Sequence, residues 1–236
     1  MFNRTSKSGK RMSDQSPKLK IIDFKKDDKY YKNIRNDLLS ILEEDTKICT
    51  VLDVGCGFGF NADYLKTRFH VNEIIGIDNK ESLEKEALKR IDKFILGDIE
   101  KISLDKYKNY FDLIVFADVL EHLYNPWGTV AKVKECLKDD GKILVSIPNV
   151  RHFSILLNLI LGKWEYKEEG LLDLTHIRFF TKQSIKAMFS MNNLRIIKMK
   201  SIMGTKTKIL NLLSLYLFSG ILTYRYFLLI EKDKRE

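Results

Sequence analysis

The chain has 236 residues, 44% of them hydrophobic and 31% charged, which suits one large α/β domain with a full core. The net charge of +9 is unevenly distributed. Residues 1–35 contain eleven Lys or Arg and four Asp, whereas the rest of the chain contains 30 basic and 28 acidic side chains. The near-neutral body argues against nucleic acid as a partner. We predict a basic, flexible N-terminal arm at 1–26 and a single domain at 27–236.

Three scattered cysteines, Cys49, Cys56 and Cys136, show no metal-ligand spacing. We therefore expect a reduced, cytoplasmic setting and no structural zinc. The N-terminal segment has no apolar core after its charges, so no signal peptide is expected.

An apolar run at 209–230 is long enough to suggest a membrane span. Polar residues interrupt it, and it divides better into a helix at 207–219, a break at Gly220 and a strand at 223–231. The helix leaves peripheral membrane contact through 207–219 open.

Short apolar runs alternate with helical patterns along the chain, which indicates a parallel sheet covered on both faces. The predicted fold class is α/β: a Rossmann-like, doubly wound, mostly parallel seven-stranded sheet with helices on both faces. A helical and loop insert at about 149–181 follows strand five. The predicted strands are 50–54, 73–78, 93–97, 111–117, 142–147, 194–201 and 223–231, and the helices before the C-terminal run are 27–45, 60–69, 80–91, 126–138, 153–161 and 181–191.

A glycine-rich turn, VLDVGCGFG at 51–59, joins the first strand to a helix. Glycine permits positive φ and lets a ligand lie against the backbone. A dinucleotide fingerprint would need a third glycine at position 60, which is Phe60. The actual spacing is G-x-G-x-G, with Asp53 two residues before it. The glycines are Gly55, Gly57 and Gly59.

Two further acids end the next two strands, Asp78 in EIIGID and Asp98 in ILGD. Ligands of open α/β sheets bind at the carboxyl edge of the strands, and an acid after the second strand can accept both ribose hydroxyls. The sequence therefore predicts a nucleoside-containing cofactor at this edge.

From about Thr50 to Pro148 the pattern resembles class I S-adenosylmethionine (SAM)-dependent methyltransferases. The resemblance implies that the loop wraps the methionine part of SAM, that Asp53 orients it, and that Asp98 and Ile99 contact the adenine. S-adenosylhomocysteine would be the product, and NAD is not expected. Cys56 is expected to be a small packed residue of the loop. The cofactor-binding residues so predicted are Asp53, Gly55, Cys56, Gly57, Gly59, Asp78, Asn79, Asp98, Ile99 and Asp118.

The segment FDLIVFADVLEHLYNPWG at 111–128 resembles the family's fourth-strand region, beneath the SAM sulfur. Asp118 either caps the following turn or enters the pocket. His122 is either a general base or a pocket-wall histidine. The N-P-P-Y motif of amino methylation on bases is absent, which further argues against a nucleic-acid substrate.

Residues 148–181, PNVRHFSILLNLILGKWEYKEEGLLDLTHIRFFT, resemble a subgroup found with bacterial glycosyltransferases and surface-polysaccharide genes. The resemblance implies a sugar or polysaccharide hydroxyl as acceptor. Aromatic faces suit sugar C–H groups and polar side chains give directional hydrogen bonds. The predicted substrate-binding residues are Trp164, Tyr166, Asp173 and Arg178, with Phe179 as a further aromatic face.

A hydroxyl acceptor benefits from a nearby base, and the predicted catalytic residues are His176, then His152, then His122. Two alternatives stay open. Asp173, His176 and Arg178 can form a self-satisfied polar network that pins the insert, and the aromatics can be packing. No metal ligand set is predicted, and Mg²⁺ held by Asp173 or Asp118 stays open as an alternative.

The leading interpretation is O-methylation of a sugar or other small hydroxyl compound in surface-glycan biosynthesis. A quinone-type or other small-molecule methyltransferase is the nearest alternative, because an apolar lid helix would suit a lipid-linked acceptor. A non-catalytic SAM-binding module is a third. The sequence does not predict the oligomeric state.

Overall fold

The computed structural model describes residues 34–234. The predicted N-terminal arm, 1–26, lies outside that range. So do residues 27–33 of the predicted first helix. Within the described part this helix is shorter than predicted: α1 covers only Asn36–Leu39, and Leu38 and Leu39 are buried as its apolar face predicts.

Seven strands form one sheet in the order β3-β2-β1-β4-β5-β7-β6, and only the pairings of β7 are antiparallel. This confirms the predicted fold class. The order reverses next to β1, so the carboxyl ends of β1, β2 and β4 meet at a topological switch point where such folds bind ligands. The strands are β1 Thr50–Val54, β2 Glu73–Asp78, β3 Lys93–Leu96, β4 Phe111–Ala117, β5 Leu137–Pro148, β6 Leu194–Ile202 and β7 Arg225–Lys232.

Alternate side chains of the central strands enter separate apolar cores on the two faces of the sheet. In β1, Leu52 and Val54 join the cluster that contains Phe116, whereas Val51 joins the cluster that contains Leu65. Because successive strand residues point to opposite faces, an all-apolar strand must be covered on both. The covering helices include α2 Phe60–Phe69, α3 Glu84–Ala87, α4 Pro126–Cys136 and α6 Lys182–Ser190.

The predicted turn between α4 and the fifth strand is replaced by an irregular start of β5. The strand begins at Leu137, directly after the helix, and its pairing with β4 shifts register between Phe111 and Leu113. Three of the four residues predicted as a turn, 139–141, therefore lie in an irregular stretch between the paired residues Leu137 and Lys142.

The insert contains one regular helix, α5 Phe153–Ile160, where a helix over 153–161 was predicted. Its remaining residues up to Thr181 form turns and isolated bridges. Thr181 then caps α6 through a capping box with Ser184.

The predicted helix break at Gly220 is wrong. Helix α7 covers Thr205–Leu213, and Gly220 lies inside a second short helix, α8 Ser219–Leu222. The chain turns at Leu215 and Tyr216, whose φ values are 50° and 65°. The Tyr216 amide donates to the Asn211 carbonyl at 2.9 Å, a bond that closes the helix end. Among residues 34–234 no helix is long and apolar enough to cross a membrane.

Candidate functional site

The glycine loop after β1 is tied to the end of β2 and has left-handed backbone at all three glycines. Their φ values are 70° at Gly55, 55° at Gly57 and 74° at Gly59. The Gly55 amide donates to the Ile77 carbonyl at 2.8 Å. A Cβ at Gly55 would lie 2.7 Å from the Val119 side chain. The loop therefore requires glycine both for conformation and for close approach to the segment after β4.

Asp78 ends β2 beside this loop. Its Oδ2 accepts the Gly57 amide at 3.1 Å, and its Oδ1 accepts the Lys80 amide at 3.2 Å. Burial raises the pKa of the Asp78 carboxyl despite these bonds. Asn79 follows on the surface. The predicted ribose-binding carboxylate is thus held at the mouth of the glycine loop.

Asp53 is 1% exposed and lies beneath the loop. Its Oδ2 accepts Nδ2 of Asn61 at 3.3 Å, but Oδ1 has no hydrogen-bond partner within residues 34–234. Desolvation by burial is the main cause that raises the pKa of Asp53, to about 7, and nearby Asp78 adds to it. A buried acceptor with an unmet hydrogen bond is costly unless a ligand supplies a donor.

Of the other residues predicted to bind the cofactor, Asp98 is partly exposed, whereas Ile99 and Cys56 are buried. Asp98 is partly exposed, accepts the Glu100 amide at 2.9 Å and pairs with Lys101 at 3.0 Å. These contacts, the amide first, lower its pKa. Ile99 is 5% exposed within the apolar core. Cys56 packs against Gly76, where a Cβ would meet its sulfur at 2.6 Å. The side chains of Ile99 and Cys56 therefore serve packing.

Asp118 does not cap the following turn, as one of its two predicted roles required, but is the centre of an ion-pair network. It accepts hydrogen bonds from Arg35, from the Ser146 hydroxyl and from Arg225, the last at 2.7 Å. Burial alone would raise the pKa of Asp118, but the guanidinium groups of Arg225 and Arg35 hold it below its usual range. The residue has φ 57° and is not a side-chain cap of the next turn.

Sequence reasoning missed Arg35, whose charge was counted with the basic N-terminal segment. Arg35 is 8% exposed, its amide donates to Asn61 at 3.1 Å and its guanidinium lies 5.5 Å from the Phe227 ring centroid. It precedes Leu38 and Leu39 by three and four residues, so it lies on the same helical face as the apolar side chains. That spacing was the available signal for a buried role.

Glu121 follows β4 on a single 3₁₀ turn, Leu120–His122, and is completely buried. Neither carboxylate oxygen has a hydrogen-bond partner among the described residues. Burial, and then the charge of Asp118, raise the pKa of Glu121 well above its usual range. The sequence analysis did not select this residue, because the motif pattern offered no signal that it would be buried.

The insert is fastened to this turn through the main chain. The amides of Ile177 and Arg178 both donate to the Glu121 carbonyl at 3.0 Å. These bonds bring His176 to the turn, with its Nε2 3.9 Å from Oε1 of Glu121. The imidazoles of His122 and His176 lie edge to face with 4.8 Å between ring centroids. Two of the three predicted bases are therefore brought together.

Each of these two rings makes a hydrogen bond to a main-chain carbonyl through Nδ1. His122 bonds the Thr175 carbonyl at 3.0 Å and His176 bonds the Leu171 carbonyl at 3.1 Å. A carbonyl only accepts hydrogen bonds, so Nδ1 must carry the proton in both rings. In the neutral rings the lone pair then resides on Nε2.

His152 has a different environment at the start of α5. Its Nδ1 bonds the Ser154 hydroxyl at 2.8 Å and accepts the Ser154 amide, so it acts as the helix N-cap. The ring packs on Phe153 and Tyr224. Burial lowers the pKa of His152. These contacts give it a structural position apart from the histidine pair.

The polar substrate candidates are partly engaged by the insert itself. Oδ1 of Asp173 accepts the Thr175 amide at 2.8 Å and its hydroxyl at 2.6 Å. Arg178 donates its Nε to the Tyr124 carbonyl at 3.0 Å and lies over the Trp127 ring. The interpretation in which Asp173 and Arg178 pin the insert therefore has direct contacts in its favour.

The aromatic candidates form one cluster. The ring of Trp164 lies 5.4 Å from that of Phe179 and 6.5 Å from that of Tyr166, both edge to face. Trp164 is 37% exposed and Tyr166 47% exposed. Their contacts rigidify the cluster, and their exposed faces remain available to a ligand.

The residues of the loop fit the SAM part of the prediction. Gly55 and Gly57 have left-handed backbone, Asp78 is bonded to this loop through the Gly57 amide, and Oδ1 of Asp53 is an acceptor in need of a donor. SAM has an ammonium group and ribose hydroxyls, which are hydrogen-bond donors of the required kind.

The sheet order, the glycine loop and the carboxylates at the strand ends define a class I SAM-dependent methyltransferase architecture. Residues 10–199 match the family described as "Methyltransferase domain". The chain belongs to this family, and the predicted class of enzyme and cofactor is confirmed at that level.

Solved structures agree with the fold. A SAM-dependent methyltransferase from Archaeoglobus fulgidus aligns with a TM-score of 0.66 at 17% identity, covering 87% of this chain and 95% of that one. One from Mesorhizobium loti aligns with a TM-score of 0.61 at 14% identity, covering 83% and 96%. At these identities the matches establish the fold alone.

Two curated relatives are similar over about half of this chain. A ubiquinone biosynthesis O-methyltransferase of Coxiella burnetii is 32% identical over 118 residues, 48% of this chain. A malonyl-[acyl-carrier protein] O-methyltransferase of Acetivibrio thermocellus is 31% identical over 123 residues, 50% of this chain. The aligned parts cover 48% and 42% of those proteins, so this chain spans less than half the length of each.

Proposed function

We propose that this protein transfers a methyl group from SAM to the hydroxyl of a small molecule, with a sugar as the first candidate. The observation that carries the proposal is the left-handed glycine loop, beside which lie Asp78 and the unsatisfied Oδ1 of the buried Asp53. SAM supplies an activated methyl group on a sulfonium. The remaining work falls to the protein: binding, alignment, exclusion of water and proton removal.

On the cofactor side, Asp78 would accept the ribose hydroxyls and Asp53 would orient the methionine part. Asp98, Asn79 and the main chain at Ile99 would border the adenine. The glycines at 55, 57 and 59 keep the backbone open for this contact.

On the acceptor side, the His122 and His176 pair lies directly after β4, at the edge that SAM would occupy. Both rings are positioned by main-chain carbonyls rather than by solvent, so they are held rigidly where an acceptor hydroxyl would lose its proton. His152, as a helix cap, is the less suitable base. Asp173 and Arg178 would hold the insert in place through their contacts with Thr175, Tyr124 and Trp127.

A sugar acceptor is favoured by the exposed faces of Trp164 and Tyr166, which suit the C–H face of a pyranose. The resemblance of the insert to the subgroup found with glycosyltransferases supports the same choice, and we propose surface-glycan biosynthesis in the cytoplasm as the setting of the reaction. The two curated relatives described above are O-methyltransferases, whereas another, from Papaver somniferum, is an N-methyltransferase.

A lipid-linked or quinone-type acceptor is the second candidate, and a specific surface favours it. Eight apolar side chains between Ile209 and Phe218 are each more than half exposed, and Lys206 and Lys208 lie exposed beside them. Such a surface suits contact with anionic lipid. We propose it as the peripheral membrane contact, which would bring the enzyme to a membrane-bound acceptor. The residues are Ile209, Leu210, Leu212, Leu213, Leu215, Tyr216, Leu217 and Phe218.

The first experiment is calorimetric titration with SAM and S-adenosylhomocysteine, with NAD as a control ligand. We expect micromolar binding of both sulfur ligands and none of NAD. Asp78→Asn should weaken both by roughly tenfold or more, because it removes a charge-assisted hydrogen bond. Asp139→Asn, at an exposed carboxylate paired with Lys232, should bind normally. A folded wild-type protein that binds neither ligand would refute the proposal.

The second experiment measures S-adenosylhomocysteine release with panels of nucleotide sugars, glycans and isoprenoid phenols. Turnover on a sugar would support the first candidate and turnover on a phenol the second. SAM binding without turnover on any panel member would favour a non-catalytic SAM-binding module.

Membrane contact is tested by co-sedimentation with phosphatidylglycerol vesicles. A Leu213→Ser, Leu217→Ser double variant should lose binding, whereas Leu157→Ser, at an exposed residue of α5, should keep it. Equal binding of both variants would refute this surface as the contact.

A further inference from the structure

We propose that Glu121, His122 and His176 together bind one divalent transition-metal ion, of which Zn²⁺ is the best match to the ligands. One ligand atom from each of these residues lies within 4.8 Å of the other two. The cluster joins the turn after β4 to the insert, so it lies at the side of the sheet edge where the acceptor would enter. Its role in catalysis rests on the proposed function, whereas metal binding itself does not.

Glu121 is buried in a state that calls for a cation. Its carboxylate is fully buried, and both oxygens lack a hydrogen-bond partner within the described chain. Leaving a buried acceptor unsatisfied costs about 1–3 kcal/mol per group, and more for a charged one. A single added proton could turn only one of the two oxygens into a donor. A cation between the carboxylate and the imidazoles satisfies the whole group.

The imidazole rings of His122 and His176 are oriented as metal ligands are. In both, Nδ1–H donates to a main-chain carbonyl, Thr175 for His122 and Leu171 for His176. This places the lone pair on Nε2 and fixes the ring plane. Metal-binding histidines in proteins are oriented in this way, by a carbonyl or carboxylate that takes the other ring N–H.

The separation of the ligand atoms of His176 and Glu121 is close to that of two ligands on one metal ion. Nε2 of His176 and Oε1 of Glu121 are 3.9 Å apart, too far for a hydrogen bond. Two ligands on a tetrahedral zinc ion with bonds of about 2.1 Å lie roughly 3.4 Å apart. A shift of about 0.5 Å would therefore bring the pair to metal-binding separation.

The ligand types select the metal. Two imidazoles and one carboxylate suit Zn²⁺, Co²⁺, Mn²⁺ or Fe²⁺, whereas Mg²⁺ and Ca²⁺ prefer oxygen ligands throughout. Sites with two histidines and one glutamate also leave a coordination position open, as catalytic zinc sites do. An acceptor hydroxyl in that position would have its pKa lowered and would release its proton to solvent water. His122 and His176 would then act as ligands instead of as bases.

The position of the cluster is maintained by contacts distant in sequence. The amides of Ile177 and Arg178 hold the Glu121 carbonyl, which keeps the third ligand, His176, next to the first two. These bonds preorganise the three ligands before a metal arrives, and preorganisation reduces the entropic cost of binding.

The test uses the full-length protein after treatment with a chelator and its removal. Calorimetry with Zn²⁺, and the visible spectrum on adding Co²⁺, should show one ion per chain. Glu121→Gln and His176→Asn should each weaken binding by about 100-fold or more. His70→Asn, at an exposed histidine outside the cluster, is the matched control and should bind as the wild type does. Equal binding by all four proteins would refute the site.

A readout on the wild-type protein covers the case in which a buried variant fails to fold. The sequence contains four histidines, at 70, 122, 152 and 176. Zn²⁺ should shift the ring NMR signals of His122 and His176 and leave those of His70 and His152 unchanged. Shifts at the latter two alone would overturn the proposal.

SAM binding is measured on the same metal-free and zinc-loaded samples. Zinc binding without SAM binding would refute the proposed function and leave the metal site standing. SAM binding without zinc binding would refute the metal site and leave the proposed function standing.

Discussion

The carboxyl edge of the sheet has a buried carboxylate at two places, beneath the glycine loop and in the turn after β4. The two carboxylates differ in how far along the sequence their neighbouring residues lie. Asp53, beneath the glycine loop, is accompanied by residues close in sequence, such as Asn61. Glu121, after β4, is enclosed by the insert, whose nearest bonded residues are Ile177 and Arg178. The first place is built on one strand, loop and helix, with Asp78 added from the next strand along the chain, whereas the second needs two segments more than 50 residues apart.

This difference explains why the sequence predicted the binding residues of the glycine loop but not the role of Glu121. A glycine loop with a strand-end acid is a local pattern, because main-chain conformation and close approach demand particular residues. A buried acid in a 3₁₀ turn has no such pattern until another segment covers it. The predictions below test whether the first place behaves as a local unit and the second as a long-range one.

The largest expected effect concerns Asp53. Its pKa of about 7 in the folded protein lies above the ordinary value of 3.8, so the folded state favours the protonated form. Its contribution to stability is present below about pH 4 and is lost as pH rises through 7. The stability of Asp53→Asn relative to wild type should therefore increase by roughly 4 kcal/mol over that range. Urea denaturation at several pH values measures this, and parallel curves for the two proteins would contradict it.

The second prediction tests the long-range network around Asp118. Arg35→Met removes one of two guanidinium partners from a largely buried carboxylate, so unfolding free energy should fall by about 2–3 kcal/mol. Lys89→Met breaks an exposed pair with Glu86 and should leave the stability close to that of the wild type. Chemical denaturation compares them. Similar small losses in both would show that Arg35 does not fasten its segment to the sheet edge.

The third prediction separates the two reasons for glycine at position 55. Gly55 and Gly162 have nearly equal φ values, 70° and 71°, but a Cβ would meet Val119 at Gly55 and nothing within 4 Å at Gly162. Both Ala variants should lose about 1 kcal/mol for conformation. Gly55→Ala should lose roughly 2 kcal/mol more through the clash, and adding Val119→Ala should restore part of it. Equal losses at both glycines would remove the close-approach argument.

The smallest effect concerns the end of the insert. Thr181 accepts the Ser184 amide at 3.3 Å, and the Ser184 hydroxyl accepts the Thr181 amide at 2.9 Å. Thr181→Ala should cost about 1 kcal/mol, whereas Thr181→Ser should be within a few tenths of wild type. Thermal unfolding distinguishes the two variants. A loss equal in both would assign the effect to the methyl group and not to the cap.

Most of the sheet followed from the sequence because its strands are short apolar runs between helices. Three strands, Thr50–Val54, Glu73–Asp78 and Phe111–Ala117, have the predicted bounds, as does the helix Phe60–Phe69. The errors fall where the chain departs from repeating patterns. The turn at Leu215 and Tyr216 uses left-handed non-glycine residues, and the start of β5 absorbs an expected turn through a register shift.

In the candidate site, too, the features set by local sequence were predicted and those set by distant contacts were not. Positive φ at the three glycines was expected from their spacing. The joining of His122 to His176 was not, because each was selected as a separate candidate base. Arg35 was overlooked because a charged side chain is buried only when opposite charge is supplied from elsewhere, and here that charge comes from Asp118, 83 residues later.

The sequence by itself determined the class of fold and the cofactor loop of this protein, because both depend on residue types at short, regular spacing. Only the tertiary structure decided which histidines meet, that Glu121 is buried with unmet hydrogen bonds, and that Asp118 is neutralised by two arginines. The physical reason is that burial and charge pairing depend on contacts between distant segments. A carboxylate has an ordinary pKa until the fold removes its water and places a cation, or none, beside it.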